Sequence, residues 1–311
     1  MHGRVRGWSR RHSIGVGLAA ALDVSLIAVL VEQGRSSKPP TQGPPRAMKT
    51  AAKAELGTSR VQVGRRNAPP ARSSMVAVPI LMYHVIAPPL PESPFPGLYV
   101  PPAEFSAQMR ALAAAGFHAV TLDEVRHAWL GRGRLPSRPI VISFDNGYRT
   151  QYTKALPVLR RLGWVGDENL QLSGLPPQQG GLSRAQVRDL LDAGWELDTQ
   201  GYSHADLIRL DAAQLHSQIT VARALVRRRY HVPADWFCYP SGYYDARVIA
   251  AVKAAGFVGS TTVVPGWARR SDDPYRLPRL RVLRGTTPQA LLALIADARN
   301  ATAPPTAYPT R

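Results

Sequence analysis

From Val76 onward, short apolar stretches alternate with segments in which apolar residues recur at helical spacing. The stretches VAVPILMYH, HAVTL and PIVISFD have the character of strands, and helices are predicted near residues 103–115 and 152–162. Alternation of this kind predicts βα units around a parallel sheet or barrel. We therefore expect one α/β domain over residues 76–300, followed by a flexible tail at 301–311.

Two further helices are indicated after residue 180. Ser183 precedes a segment with apolar residues at helical spacing that stops at Gly194, and a second such segment runs from Asp211. A serine hydroxyl can accept a hydrogen bond from a free amide of the first helical turn, so Ser183 is predicted to cap its helix.

The first 75 residues have a different pattern. Arginines crowd the N-terminus, and an apolar run follows from Ile14 to Val31, interrupted only by Asp23. Basic residues before about 18 apolar residues predict a signal anchor within residues 1–32. No A-x-A cleavage site follows, which favours an anchored protein whose domain lies outside the cytoplasm; if the segment is cleaved, the protein is secreted. The Pro-, Ser- and basic-rich residues 33–75 are predicted to be a linker.

The charge of the chain agrees with this division. Its net charge is +18, and residues 1–75 contain 13 Lys/Arg but only 3 Asp/Glu. A basic extension beside an apolar segment indicates a membrane surface, and no nucleic-acid-binding motif is present, so we expect no nucleic acid partner. The single cysteine, Cys238, excludes an intramolecular disulfide and a cysteine-based zinc cluster.

Polar or aromatic residues follow four of the predicted strands. They are His84 after PILMY, Asp145-Asn146-Gly147 after VISF, the segment from Gln200 to His204 after WELDT, and Tyr239-Pro240-Ser241-Gly242 after DWFC. In α/β barrels the carboxyl ends of the strands share one rim, where reactive groups gather. The four segments are therefore predicted to form one site.

These segments, in this order, resemble the motifs of the polysaccharide deacetylase family (NodB-like, carbohydrate esterase family 4). LMYHVI is similar to the YH start of the family, SFDNGY to its FDDGY motif, GWELDTQGYSHADL to its GxEIxSHTxxHPDL motif, and FCYPSG to its FxYPxG motif. The similarity extends to RLPRLRV near the C-terminal end. The resemblance implies a distorted (β/α) barrel and the metal-assisted removal of acetyl groups, bound as amides or esters, from a polysaccharide of the cell envelope or outside the cell.

Carried over residue by residue, the resemblance implies Asp145 as the catalytic base and His204 as a metal ligand. The other two ligand positions hold Asn146, where the family has Asp, and Gln200, where it has His. Amide oxygens replace the carboxylate and imidazole that zinc, the metal most expected here, prefers. Substrate contacts are expected at Tyr239, Pro240 and His84; alternatively, His84, which ends a strand on the same rim, supplies a replacement metal ligand or a general acid.

Other departures leave alternatives open. The family has a catalytic histidine near its C-terminus, but no histidine follows His231 here, and Cys238 stands where an arginine often orients the base. The chain is then either a deacetylase with an impaired metal site, a non-catalytic carbohydrate-binding protein, or a metal-independent hydrolase in which Asp145 activates water. Four aromatic residues near these motifs either form a surface on which a sugar ring stacks or pack in the hydrophobic core. They are Tyr239, Tyr243, Tyr244 and Trp267.

Overall fold

The computed structural model describes residues 76–175 and 180–309. The predicted signal anchor at 1–32 and the predicted linker at 33–75 lie outside these residues. In the described part of the chain, no helix combines the length and the hydrophobicity that crossing a bilayer requires.

The strands of the described residues join in one sheet. They are β1 (Val78–Tyr83), β2 (His118–Ala119), β3 (Pro139–Asn146), β4 (Asp167–Leu170), β5 (Glu196–Thr199), β6 (Trp236–Cys238), β7 (Gly259–Thr261), β8 (Trp267–Ala268) and β9 (Leu280–Arg281). The order is β7-β6-β5-β4-β3-β1-β8, with β2 also paired to β3 and β9 also paired to β1. All pairs are parallel except β1 with β8. The sheet is a curled half-barrel of parallel strands, which confirms the α/β class in a more open form than a complete barrel.

Helices connect the strands. They are α1 (Pro102–Ala114), α2 (Leu122–Trp129), α3 (Leu156–Leu162), α4 (Arg184–Asp192), α5 (Ala212–His216), α6 (Ala222–Tyr230), α7 (Ala246–Ala254) and α8 (Pro288–Asp297). The prediction at 103–115 corresponds to α1. The prediction at 152–162 corresponds to a π-helical turn, Gln151–Ala155, that continues into α3.

The predicted starts of α4 and α5 are confirmed. The Ser183 hydroxyl accepts from the amide of Gln186 at 3.2 Å, and the Gln186 side chain accepts from the amide of Ser183 at 2.9 Å. Asp211 and Gln214 form the same reciprocal pair at 2.8 and 3.0 Å. These capping boxes satisfy amides that the first helical turn leaves without a partner, and they therefore fix where each helix begins.

Alternate residues of β3 face opposite sides of the sheet. Ile142 and Phe144 belong to a hydrophobic cluster with α1, α3 and α8, whereas Val141 packs in a second cluster that includes α2. Because strand side chains alternate, Ser143 and Asp145 continue the face of Val141. That face brings Asp145 to the C-terminal end of the half-barrel.

Strand β4 brings three polar side chains into buried positions: Asp167, Glu168 and Asn169. The Asp167 carboxylate accepts from the amide of Leu122 at 3.0 Å, and Asp198 of β5 accepts from the amide of Trp236 at 2.9 Å. Burial raises the pKa of Asp167 and of Asp198 well above the usual range. These carboxyl groups join α2, β4, β5 and β6 by hydrogen bonds while favouring their protonated forms.

Residues 301–309 run along the domain. Tyr308 and Tyr244 exchange two backbone hydrogen bonds of 2.8 Å each, and the Tyr244 hydroxyl donates to the carbonyl of Pro305 at 2.8 Å. This part of the predicted tail is therefore hydrogen-bonded to the loop that follows β6.

Candidate functional site

The C-terminal ends of β1, β3, β5, β6 and β9 lie around one cavity of about 730 Å³, here called the cleft. The cleft is lined by six of the seven residues predicted for the site: His84, Asp145, Asn146, Gln200, His204 and Tyr239. The seventh, Pro240, is buried in the turn Pro240–Gly242, whose other two residues line the cleft. The expectation that parallel strand ends bring these residues together agrees with this geometry.

Asp145 forms a buried, two-pronged ion pair with Arg279. Its two carboxylate oxygens accept from the two terminal guanidinium nitrogens of Arg279 at 2.7 and 2.8 Å. Asn169 donates to the same carboxylate at 2.9 Å, and the Cys238 thiol lies 3.6 Å from it. Asp145 is 1% exposed and Arg279 is fully buried. A carboxylate has about four acceptor positions, so this one is close to fully occupied by protein donors.

The electrostatics of this pair follow from its contacts. Burial alone would raise the pKa of Asp145, but the charge and hydrogen bonds of Arg279 outweigh burial and lower that pKa to about 2. Burial also raises the pKa of the Cys238 thiol to about 12, so the thiol is protonated at neutral pH. Asp145 is thus a charged and weakly basic carboxylate at neutral pH, and its role as the catalytic base stays a prediction.

Arg279 and Asn169 were not among the residues predicted for the site. Arg279 immediately precedes β9, and its remaining donors reach the carbonyl of Thr262 at 2.8 Å and the hydroxyl of Ser143 at 3.1 Å. The guanidinium therefore approaches Asp145 from the RLPRLRV segment rather than from position 238. The RLPRLRV segment was the available signal, but its sequence does not show which of its three arginines turns inward, and nothing in the sequence singled out Asn169.

The backbone after β3 makes a left-handed turn. Asn146 and Gly147 have φ values of 78° and 82°. Asparagine tolerates this region better than most residues, and glycine enters it without strain. A Cβ atom at position 147 would also lie 2.6 Å from Cδ1 of Leu170. Position 147 therefore favours glycine. The left-handed turn that this glycine permits brings the Asn146 side chain to the cleft.

Gln151 holds two strand ends together behind the cleft. Its fully buried side-chain amide donates to the backbone carbonyls of His84 at 2.9 Å and Asp145 at 2.8 Å. This contact joins the ends of β1 and β3 and so sets the spacing of His84 and Asp145.

His84 faces the ion pair from β1. Its Nε2 lies 3.9 Å from Oδ2 of Asp145, and its Nδ1 is buried with no hydrogen-bond partner among the described residues. Burial lowers the pKa of His84 to about 4, although the charge of Asp145 opposes this shift. His84 is therefore a neutral imidazole at pH 7, with one nitrogen that no described protein group satisfies.

The residues at the expected metal positions do not fit zinc, the metal expected from the sequence. Gln200 is 2% exposed, and its buried side-chain oxygen has no hydrogen-bond partner among the described residues. His204 is the only imidazole of the three positions, Asn146 and Gln200 offer neutral amides, and the nearby carboxylate is bound to Arg279. Zinc sites use imidazole, thiolate or carboxylate ligands. Residues 76–175 and 180–309 contain no group of three such side chains placed to hold a metal.

Aromatic residues near the site divide into core and cleft. Tyr239 and Tyr244 are at most 1% exposed, with ring centroids 4.9 Å apart, so packing accounts for them. Trp267 donates to the carbonyl of Ile295 at 2.7 Å and does not line the cleft. Four other aromatic side chains line it with part of their surface exposed: Phe95, Tyr99, Tyr148 and Tyr243.

Known proteins share this sequence pattern and fold. Residues 132–260 match the polysaccharide deacetylase family. The chain is 29% identical over 219 residues to the polysaccharide deacetylase-like protein YxkH of Bacillus subtilis, covering 70% of this chain and 76% of that protein. It is 21% identical over 199 residues to the poly-β-1,6-N-acetyl-D-glucosamine N-deacetylase of Staphylococcus aureus, covering 58% of this chain and 66% of that protein. The fold is similar to that of the Streptococcus pyogenes deacetylase PplD solved with acetate, with a TM-score of 0.65 and 22% identity over 71% of this chain and 99% of that one.

Proposed function

Because this chain is a divergent member of the polysaccharide deacetylase family, we propose that it binds an acetylated polysaccharide in the cleft and hydrolyses its acetyl groups. The single observation that carries the proposal is the cleft itself. It gathers the family's motif positions at one rim, beside four partly exposed aromatic rings. Aromatic rings supply flat apolar surface, against which the apolar face of a sugar can pack.

The chemistry proposed for this cleft uses groups of the chain itself. The neutral His84 imidazole takes a proton from water as the water oxygen attacks the acetyl carbonyl carbon. The side-chain amides of Asn146 and Gln200 donate to the oxygen that becomes negative, as preorganised donors do in other hydrolases. His84 then returns the proton to the leaving nitrogen or oxygen as the acyl bond breaks.

Asp145 has a supporting role in this proposal. Its carboxylate, 3.9 Å from His84 Nε2, stabilises the imidazolium that forms in the step. Arg279 keeps Asp145 charged and in place but also withholds it from water. The base is therefore proposed to be His84 rather than Asp145.

A second candidate is glycan binding without hydrolysis. One observation favours it: the oxygens of the Asp145 carboxylate are already occupied by contacts with Arg279, Asn169 and Cys238. Because no carboxylate among the described residues of the cleft is free to act on water, a protein with this geometry can hold an acetylated sugar without cleaving it.

One experiment separates the two candidates. The purified full chain is given acetylated chitin-like, peptidoglycan-like and xylan-like oligosaccharides and the β-1,6-linked N-acetylglucosamine oligomer named for the staphylococcal relative. Acetate release and calorimetric binding are measured on each. Acetate release supports hydrolysis, and binding without release supports the second candidate. If none of the glycans is cleaved or bound, both candidates are contradicted.

His84→Gln tests the proposed base directly. We expect acetate release to fall about 100-fold or more, the usual contribution of general base catalysis, with glycan binding retained. The matched control is His127→Gln, which changes an exposed histidine of α2 outside the cleft. Unchanged acetate release by His84→Gln would contradict the assignment.

We also propose that residues 1–32 anchor the protein in a membrane with the domain outside the cytoplasm. The proposal is supported by the arginines before the apolar run from Ile14 to Val31. A fusion of residues 1–75 to alkaline phosphatase, which is active only outside the cytoplasm, is expected to be active and to sediment with membranes. An inactive cytoplasmic fusion would refute the proposal.

A further inference from the structure

The cleft has an unbalanced positive charge. Of the described residues that line it, only Asp145 and Arg281 carry side chains that are charged irrespective of histidine protonation. Asp145 is neutralised by Arg279 through two hydrogen bonds. The positive charge of Arg281 is therefore the charge that remains unpaired toward a ligand in the cleft.

Arg281 is presented on the rim and is free to bind a ligand. It is the second residue of β9, aligned with Met82 of β1, and its side chain is exposed. In the part of the chain that the structure describes, it forms no ion pair. An arginine fork is suited to two parallel hydrogen bonds with a carboxylate or a phosphate.

Apolar side chains flank this arginine. Leu283, two residues further along the same face, lines the cleft and is 42% exposed, and Phe95 lines it with 76% exposed. A hydrogen bond of 2.8 Å from the amide of Arg284 to the carbonyl of Gly97 ties the two rim segments together. A sugar ring resting on these apolar surfaces would exclude water near Arg281 and so strengthen an ionic contact there.

We propose that Arg281 binds a negatively charged substituent of the polysaccharide, so that the cleft selects acetylated glycans bearing carboxylate or phosphate groups. This inference rests on the proposed binding of an acetylated glycan in the cleft. It adds a substrate class, the anionic glycans, and a residue that selects it.

The test uses calorimetric titration of the full chain with three oligosaccharides of equal length. One is a neutral N-acetylglucosamine oligomer, one alternates N-acetylglucosamine with glucuronic acid, and one is an N-acetylglucosamine oligomer bearing phosphate. We expect an anionic oligomer to bind at least about tenfold more tightly than the neutral one, since charge-assisted hydrogen bonds contribute about this factor or more. The preference is expected to weaken as salt rises.

Three variants assign the effect to Arg281. Arg281→Ala should abolish the preference, measured as the ratio of the Kd values of the neutral and anionic oligomers, and Arg281→Lys should retain part of it. Arg284→Ala is the matched control, because Arg284 is an exposed arginine three residues away that does not line the cleft. It should behave like the wild type.

The outcomes separate this inference from the proposed function. Preference for the carboxylate oligomer, the phosphate oligomer or both, lost in Arg281→Ala, supports the inference and identifies the anion. Equal binding of neutral and anionic oligomers, or a preference that persists in Arg281→Ala, overturns the inference and leaves the proposed function standing. Absence of binding by all three oligomers overturns the inference, whereas the proposed function fails only if the wider glycan set above is neither bound nor cleaved.

Discussion

Replacing Arg279 by methionine tests whether the ion pair with Asp145 is a structural element of the cleft. Methionine keeps much of the arginine's apolar volume but removes its charge and its donors. The Asp145 carboxylate then loses its two shortest hydrogen bonds, of 2.7 and 2.8 Å, and is left charged at 1% exposure. The change therefore creates an unpaired charge in a buried position.

The expected cost follows from this geometry. Removing one partner of a buried ion pair costs about 3–5 kcal/mol, because the other charge stays buried. Against a total stability of about 5–15 kcal/mol this is a large fraction. For a domain of this size it corresponds to a fall of roughly 6–20 °C in Tm. The double variant Arg279→Met/Asp145→Asn removes both charges and should recover most of the loss.

Urea unfolding followed by circular dichroism measures these differences. The matched control is Arg276→Met, which breaks an ion pair with Asp273 at 3.0 Å whose side chains are 22% and 29% exposed. Because that pair is more exposed, we expect its loss to cost only about 1 kcal/mol or less. A cost of under 1 kcal/mol for Arg279→Met, or no recovery in the double variant, would refute the reasoning.

Three further predictions concern the surrounding structure. Burial raises the pKa of Asp198, so the folded protein keeps a proton on this carboxyl at pH values where the unfolded chain has already lost it. The contribution of Asp198 to stability is therefore lost as pH rises above about 4. In urea unfolding, Asp198→Asn should flatten this loss and so stabilise the protein more at pH 8 than at pH 5. In the same assay, Gly242→Ala should lower the free energy of unfolding by about 2–4 kcal/mol, since φ is 77° and the new Cβ would lie 2.3 Å from a side-chain carbon of Val263. The control Gly163→Ala has a similar φ of 68° but no atom near its new Cβ, and it should lower the free energy of unfolding by only about 1 kcal/mol. Phe95→Ala should change stability by no more than about 0.5 kcal/mol, because the ring is 76% exposed, yet weaken glycan binding about three- to tenfold by calorimetry.

Elements with a clear hydrophobic period could be predicted from the sequence. VAVPILMYH and PIVISFD are β1 and β3, and Ser183 caps α4, because local pattern and local hydrogen bonding decide these elements. Strand β4 could not be predicted, since its residues Asp167–Leu170 read DENL and are buried against expectation. Its position is decided by pairing with β3 and β5 rather than by its own composition.

For the candidate site, the sequence predicted the strand-end residues but neither the buried partners of Asp145 nor the chemistry that those partners impose. Parallel strand ends bring His84, Asp145 and Gln200 to one rim, so the motifs alone indicated which residues would meet. The partner of Asp145 was missed because Arg279 lies 134 residues away in sequence, and no local pattern links the two. The sequence indicated that Asp145 is an accessible base, whereas in the structure its carboxylate is buried in an ion pair with Arg279.

The most direct test of the account is a calorimetric titration of zinc into the metal-free full chain. The Asn146→Asp/Gln200→His variant, which supplies the carboxylate and imidazole of the family's motif, is the positive control and should bind one zinc ion. We expect no stoichiometric zinc binding by the wild type, because its donors at these positions are two amides and one imidazole. One-to-one binding by the wild type at micromolar or lower Kd would contradict this expectation and would assign to the cleft the metal chemistry of the polysaccharide deacetylase family.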